Sequence, residues 1–91
     1  MLDFEWDESK AAANLKKHGV SFDEAASVFA DPRALSFADV DHSALEDRSR
    51  TYGISRQGRL LVVVHTERHG SIRIISSRKA TRYEKSLYEE G

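Results

Sequence analysis

The sequence predicts an α+β domain in which two N-terminal helices pack on an antiparallel β-meander and a short C-terminal helix closes the chain. Three observations carry this. Helix formers and capping residues fill the first third, apolar residues recur with period two from Ala34 to Ser77, and a second capping signal opens the last ten residues. At 91 residues, 40% apolar and 32% charged, the chain makes one domain, residues 1–91, with a modest core.

FEWD at 4–7 alternates apolar and acidic residues and reads as a short strand at a sheet edge. Asp7 is an N-cap for a helix over 8–18, ESKAAANLKKH. On that helix Lys10, Asn14, Lys17 and His18 share a polar stripe, and Ala11, Ala12 and Leu15 form a thin apolar face. Gly19 follows where a left-handed residue closes a helix. Ser21 and Glu24 then make a capping box, flanked by Val20 and Ala25 at the staple positions. The second helix, over 22–30, buries Phe22, Ala25, Ala26 and Phe29 and stops at Asp31-Pro32. Its apolar and acidic surface is unlike that of a DNA-reading helix.

ALSFAD at 34–39 reads as a strand and VDHSALED at 40–47 as a polar loop or a short turn of helix. RSRTYGIS, RLLVVVHTE and SIRIISS follow as three strands, joined by hairpins at Gln57-Gly58 and His69-Gly70. A two-residue Gln57-Gly58 turn pairs Arg56 with Arg59, Tyr52 with Val63, and Arg50 with His65. The apolar pattern then places Leu60, Val62, Val64, Ile72 and Ile74 on the helix-covered face with Thr51 and Gly53. This requires an odd loop or a bulge near Gly70. The opposite, half-polar face is left with Arg48, Arg50, Tyr52, Leu61, Val63, His65, Arg73 and Ile75. TRYEKSLYEE opens on a second box, Thr81 and Glu84, and forms the last helix, docked by Tyr83 and Leu87.

The chain has no cysteine, its longest apolar run is Leu60–Val64, and its acidic start lacks the layout of a signal peptide, so a cytoplasmic protein with no membrane contact is expected. Charge is segregated. Residues 1–47 hold four Lys/Arg against eleven Asp/Glu, whereas residues 48–91 hold ten against four. Such a basic half draws polyanions, or else pairs with the acidic half.

Histidines 18, 42, 65 and 69 lack ligand spacing, and neither a phosphate-binding glycine loop nor a nucleophile elbow is present, so no metal or cofactor is expected. What remains is cationic and acid–base: Arg48, Arg50, His65, Arg73, Arg78, Lys79 and Arg82, with Lys17, His18 and the tyrosines 52, 83 and 88. Metal-free RNA cleavage needs a base for the 2′-hydroxyl, an acid for the 5′-oxygen and cations for the charge on phosphorus. Imidazole suits the first two tasks, guanidinium the third, and aromatic rings hold unpaired bases. Each residue also has a structural reading: His65 as a core-edge histidine, His18 as a cation at a helix C-terminus, Lys17 as solvated, Trp6 as core. Arg73, between isoleucines, needs a partner or a ligand.

FEWDESKAAANLKKHGVSFDEAASVFADP at 4–32, EDRSRTYG at 46–53, LLVVVHTE at 60–67 and IRIISSRKATRYEKSLYEE at 72–90 resemble the BrnT toxin family, related in fold to the RelE-type toxins. The spacings W-D-x-x-K-x-x-x-N-x-x-K-H-G-V and R-I-I-S-x-R-K-A-T-R carry the resemblance. It implies a RelE-like domain and a ribonuclease toxin that arrests translation. It also implies a BrnA-type antitoxin that neutralises the toxin and supplies the DNA contact, with RNA, free or ribosome-bound, as substrate. The motif positions fall on Lys17, His18, Glu24, Arg48, Arg73, Ser76, Arg78, Lys79 and Arg82, with Ser49 and Ser77 departing from the family's aromatic and alanine. The resulting expectation is that Arg73 and Arg48 hold the phosphate. His65 or His18 would move the proton, while Lys17, Arg50, Tyr52, Arg78, Lys79 and Arg82 guide RNA. The rival expectations are a non-catalytic nucleic-acid or antitoxin-binding module and a degenerate toxin that keeps only its antitoxin contact.

Overall fold

The protein is described from a computed structural model covering residues 2–39 and 47–91; the loop expected over 40–47, with His42, lies outside the described residues except for Asp47. Strand β1 (Asp3–Glu5) leads into helices α1 (Glu8–His18) and α2 (Phe22–Ser27), the latter extended by one 3-10 turn over Val28–Ala30. Strands β2 (Leu35–Ala38), β3 (Ser49–Ile54), β4 (Leu60–Arg68) and β5 (Ser71–Lys79) precede helix α3 (Arg82–Glu90). The sheet runs β1-β5-β4-β3-β2, an antiparallel meander with β1 added in parallel along β5 at one edge.

Local chemistry sets the helix ends. The Asp7 carboxylate accepts from the Lys10 amide at 3.0 Å, and Gly19, at φ +69°, donates its own amide to the Leu15 carbonyl at 2.9 Å. At α3 the capping box closes in both directions, between Thr81 Oγ1 and the Glu84 amide and between Glu84 Oε1 and the Thr81 amide. At α2 only half of the expected box forms. Ser21 Oγ caps the Glu24 amide at 3.0 Å, but the Glu24 side chain turns away to Arg59 and Ser55.

Two expectations about packing are corrected. Asn14, read as part of the solvent stripe, is buried, whereas Leu15 is exposed. Asn14 Nδ2 donates to the carbonyls of Val20 and Ser77, and its Oδ1 accepts from the Ser77 amide, so it fastens α1 to β5 and to the joint before α2. Tyr83 likewise does not dock α3. Leu87 and Tyr88 do, against Tyr52 and Val62, with Tyr88 Oη donating to Asp31 Oδ2 at 2.6 Å.

The sheet register also differs from the expected one. Gly58 takes φ +81°, the Ser55 amide donates to the Arg59 carbonyl, and Ile54 pairs with Leu60. The loop therefore holds three residues with glycine in the left-handed position, not two. Tyr52 consequently pairs with Val62 and Arg50 with Val64, a shift of one residue. The β4–β5 turn is the tight one, His69 and Gly70 both having positive φ. The required irregularity lies farther along: His65 pairs with Ile74 and Val64 with Ser76, leaving Ile75 as the extra residue.

These shifts assign the faces. Leu61, Val63 and Ile74 pack with Val20, Phe22, Ala25 and Val28 beneath α1 and α2, and His65 shares that side. The other face carries Arg50, Tyr52, Leu60, Val62, Val64, Arg73, Ser76 and Arg78. It is not left open, because α3 covers its Leu60–Val62 end. No helix among the described residues is long and apolar enough to cross a membrane.

Candidate functional site

On the α3 side of the sheet the β-strand pairings line up three rows. Tyr52, Val62 and Arg78 form one; Phe37, Arg50, Val64 and Ser76 the next; and Thr66, Arg73 and Glu5 a third. Between the first two rows and the β2 edge opens a cleft of about 280 Å³ lined by Asp39, Arg48, Arg50, Ser76 and Arg78. Arg50 spans its wall. Its Nε lies 3.8 Å from Asp39 Oδ1 and is buried with no hydrogen-bond partner, an N–H unsatisfied within the cleft.

Arg78 is held differently. Its Nη1 and Nη2 grip Glu84 Oε1 and Oε2 at 2.7 and 2.9 Å, a two-pronged pair that orients the guanidinium beside the start of α3. The same contact lowers the Glu84 carboxyl to about 2, despite its burial. Glu84 thereby joins helix capping to the positioning of one cleft arginine.

A second cavity, of about 510 Å³, adjoins the first through Arg50, and Phe37, Tyr52, Thr81, Tyr83, Glu84 and Leu87 line it. Tyr52 is buried and its ring tilts against Phe37 at 5.4 Å.

The residues expected to act together are thus divided. Arg48, Arg50, Tyr52 and Arg78 do meet. Arg73 shares their face one row away, where its Nη1 bonds Glu5 Oε2 at 2.8 Å, so its required partner is the neighbouring edge strand. Arg82 is exposed at the start of α3, while Lys79, exposed at the end of β5, pairs with Leu61 and so projects from the α1 and α2 side, away from the arginines it was expected to join.

His65 is not among the arginines, a consequence of the shifted register. Its Nε2 bonds Thr51 Oγ1 at 2.7 Å and its ring meets Phe29 edge-on at 4.8 Å, on the side covered by α1 and α2. Burial there lowers its pKa below 6.5, with Glu67 opposing the shift only in part. Lys17 and His18 end α1, which packs on that same far side, so neither joins the cleft. Phe37 and Asp39 escaped the sequence reading, although the pairing of β2 with β3 that brings them to Arg50 follows from the alternation in ALSFAD.

The fold and these two cavities define a small α+β domain with a cationic cleft and an aromatic-lined recess on one sheet face. The profile of the family described as the ribonuclease toxin BrnT of type II toxin–antitoxin systems matches residues 6–84, and the chain belongs to that family. The fold is similar to that of the Brucella abortus ribonuclease toxin BrnT, known from a crystal structure. The match has a TM-score of 0.68 at 22% identity and covers 90% of this chain and all of that one. Among proteins with curated descriptions, none matches the sequence.

Proposed function

We propose that this toxin is an endoribonuclease that needs no metal ion and cuts RNA in the cleft of Arg48, Arg50 and Arg78, arresting translation. The observation that carries the reading is the meeting of three arginine side chains, Arg48, Arg50 and Arg78, with Ser76 in one cleft that holds, among the described residues, a single carboxylate, Asp39. Phosphodiester oxygens would meet the exposed parts of these side chains, and the cations would stabilise the extra charge on phosphorus as the 2′-oxygen attacks and the 5′-oxygen leaves. The products are a 2′,3′-cyclic phosphate and a 5′-hydroxyl. Arg73, engaged by Glu5, contributes at longer range, and Arg82 guides the strand, whereas Lys79, paired with Leu61, projects from the other side of the sheet. His65, His18 and Lys17 lie across the sheet, which leaves proton transfer to groups bordering the cleft or to water. So thin an acid–base complement favours slow or ribosome-assisted cutting. A RelE-like kinship, a BrnA-type antitoxin as the neutralising partner, DNA contact through that antitoxin alone and a cytoplasmic setting complete the reading.

Purified protein incubated with end-labelled RNA in EDTA tests it. Wild type is expected to leave cyclic-phosphate ends and Arg50→Ala to leave RNA intact. Equal cutting by both would remove the cleft from the mechanism. The pairing of Arg78 with Glu84 favours one alternative, a binding module, which would hold RNA intact with a salt-dependent affinity.

A further inference from the structure

Phe37 and Tyr83 are both exposed aromatic side chains, at 44% and 72%, and both line the larger cavity. They come from opposite borders of the face, Phe37 from the β2 edge and Tyr83 from the first turn of α3. Exposed aromatic rings are uncommon away from binding surfaces. The core explains Tyr52 and Tyr88, but it does not explain these two. Thr81 and Glu84 add polar groups at the rim.

Arg50 makes this cavity more than an apolar recess. It belongs to the walls of both cavities, stands directly across the β2–β3 ladder from Phe37, and keeps about a third of its side chain exposed between them. Aromatic surface and guanidinium thus adjoin, as base and phosphate adjoin in a nucleotide.

We propose that the cavity bordered by Phe37 and Tyr83 is a nucleobase subsite. It takes one unpaired base of single-stranded RNA by stacking, while Arg50 binds the adjoining phosphate. The inference rests on the ribonuclease reading for its ligand and adds a physical basis for preferring single strands. In a duplex the base is stacked and paired, so only the arginine half can engage.

The probe is a short single-stranded RNA carrying 2-aminopurine, whose fluorescence falls on stacking, with a duplex of the same sequence as reference. Wild type should quench the single strand and bind it more tightly than the duplex. Phe37→Leu/Tyr83→Leu keeps apolar bulk without aromatic faces. It should lose the quenching and bind the single strand about tenfold more weakly, with duplex affinity unchanged. Tyr83→Leu alone, on so exposed a side chain, should show part of the same loss without a change in fold. No quenching by wild type, or equal affinity of wild type and double variant, overturns the subsite. Unquenched binding would be the result if the cavity instead received a segment of the antitoxin. The two readings fail separately: cutting without quenching removes only the subsite, and quenching without cutting removes only the nuclease.

Discussion

Arg59 reaches from the β3–β4 hairpin to Glu24 in the first turn of α2, its Nε bonding Oε2 at 2.9 Å and its Nη2 engaging Oε1. Glu24 is 1% exposed and also accepts from Ser55 Oγ at 2.6 Å, while Arg59 Nη2 donates to the Gly19 carbonyl at 3.0 Å. One ion pair therefore ties the helical joint to a hairpin some 35 residues away in sequence.

Removing the cation leaves a buried carboxylate with hydroxyl support only. Arg59→Ala is expected to destabilise the protein, read as a lower urea midpoint at constant slope. Glu24→Gln should cost less, because the arginine left behind is partly solvated. Equal small losses would mean that the pair is replaceable.

His65 predicts a pH dependence. Its folded pKa lies below the ordinary 6.5, so the unfolded chain takes up the proton first on acidification. The stability it supports is complete above about 6.5 and is lost as pH falls through the folded pKa. Melting temperature should drop between pH 7 and 5, and His65→Gln should flatten that part of the curve. The same variant should still cut RNA; loss of cutting in a folded His65→Gln protein would return the histidine to the mechanism.

Glu84 works in a lower window. Its carboxylate contribution is present above its ordinary range near 4.5 and disappears as pH falls toward about 2. Glu84→Gln should destabilise the protein by about 1–2 kcal/mol through the weakened cap and lost pair. It should also tighten RNA binding, since a negative charge leaves the wall of the aromatic cavity. Weaker binding would mean that Glu84 chiefly orients Arg78.

Salt separates Arg50 from Arg73. For single strands each phosphate contact adds about 0.7 to the slope of log affinity against log salt. Arg50→Ala should flatten the slope by about that much. Arg73→Ala, whose guanidinium is already engaged by Glu5, should leave it nearly unchanged and cost under about 1 kcal/mol in stability. A reversal of these two results would move the phosphate site one row along the sheet.

What could be read from the sequence was local. Asp7, Ser21, Thr81 and Gly19 mark their helix ends because caps act over three or four residues. The shape of the sheet followed from alternation, but its register did not. Gln57-Gly58 fits a two-residue turn as well as the last two positions of a three-residue one, and that single step decided where His65 pointed. Asn14 was misread because its partners are the Val20 carbonyl and the backbone of Ser77, the latter contact invisible to a helical wheel. The pairing of β2 with β3, which adds Phe37 to the site, was available and went unused.

Ile75 has a consequence for how this strand can change over time. Arg73 and Arg78 are an odd number of positions apart, so on an uninterrupted strand they would project from opposite surfaces. The unpaired isoleucine resets the alternation between them. Loss of that one codon would join Ile74 to Ser76 in an unbroken ladder against His65 and Val64 and keep Arg73, Ser76 and Arg78 on one surface. Length at this point can therefore fall by one without reversing the polarity of the strand downstream, whereas a substitution at position 75 changes the lining of the cleft.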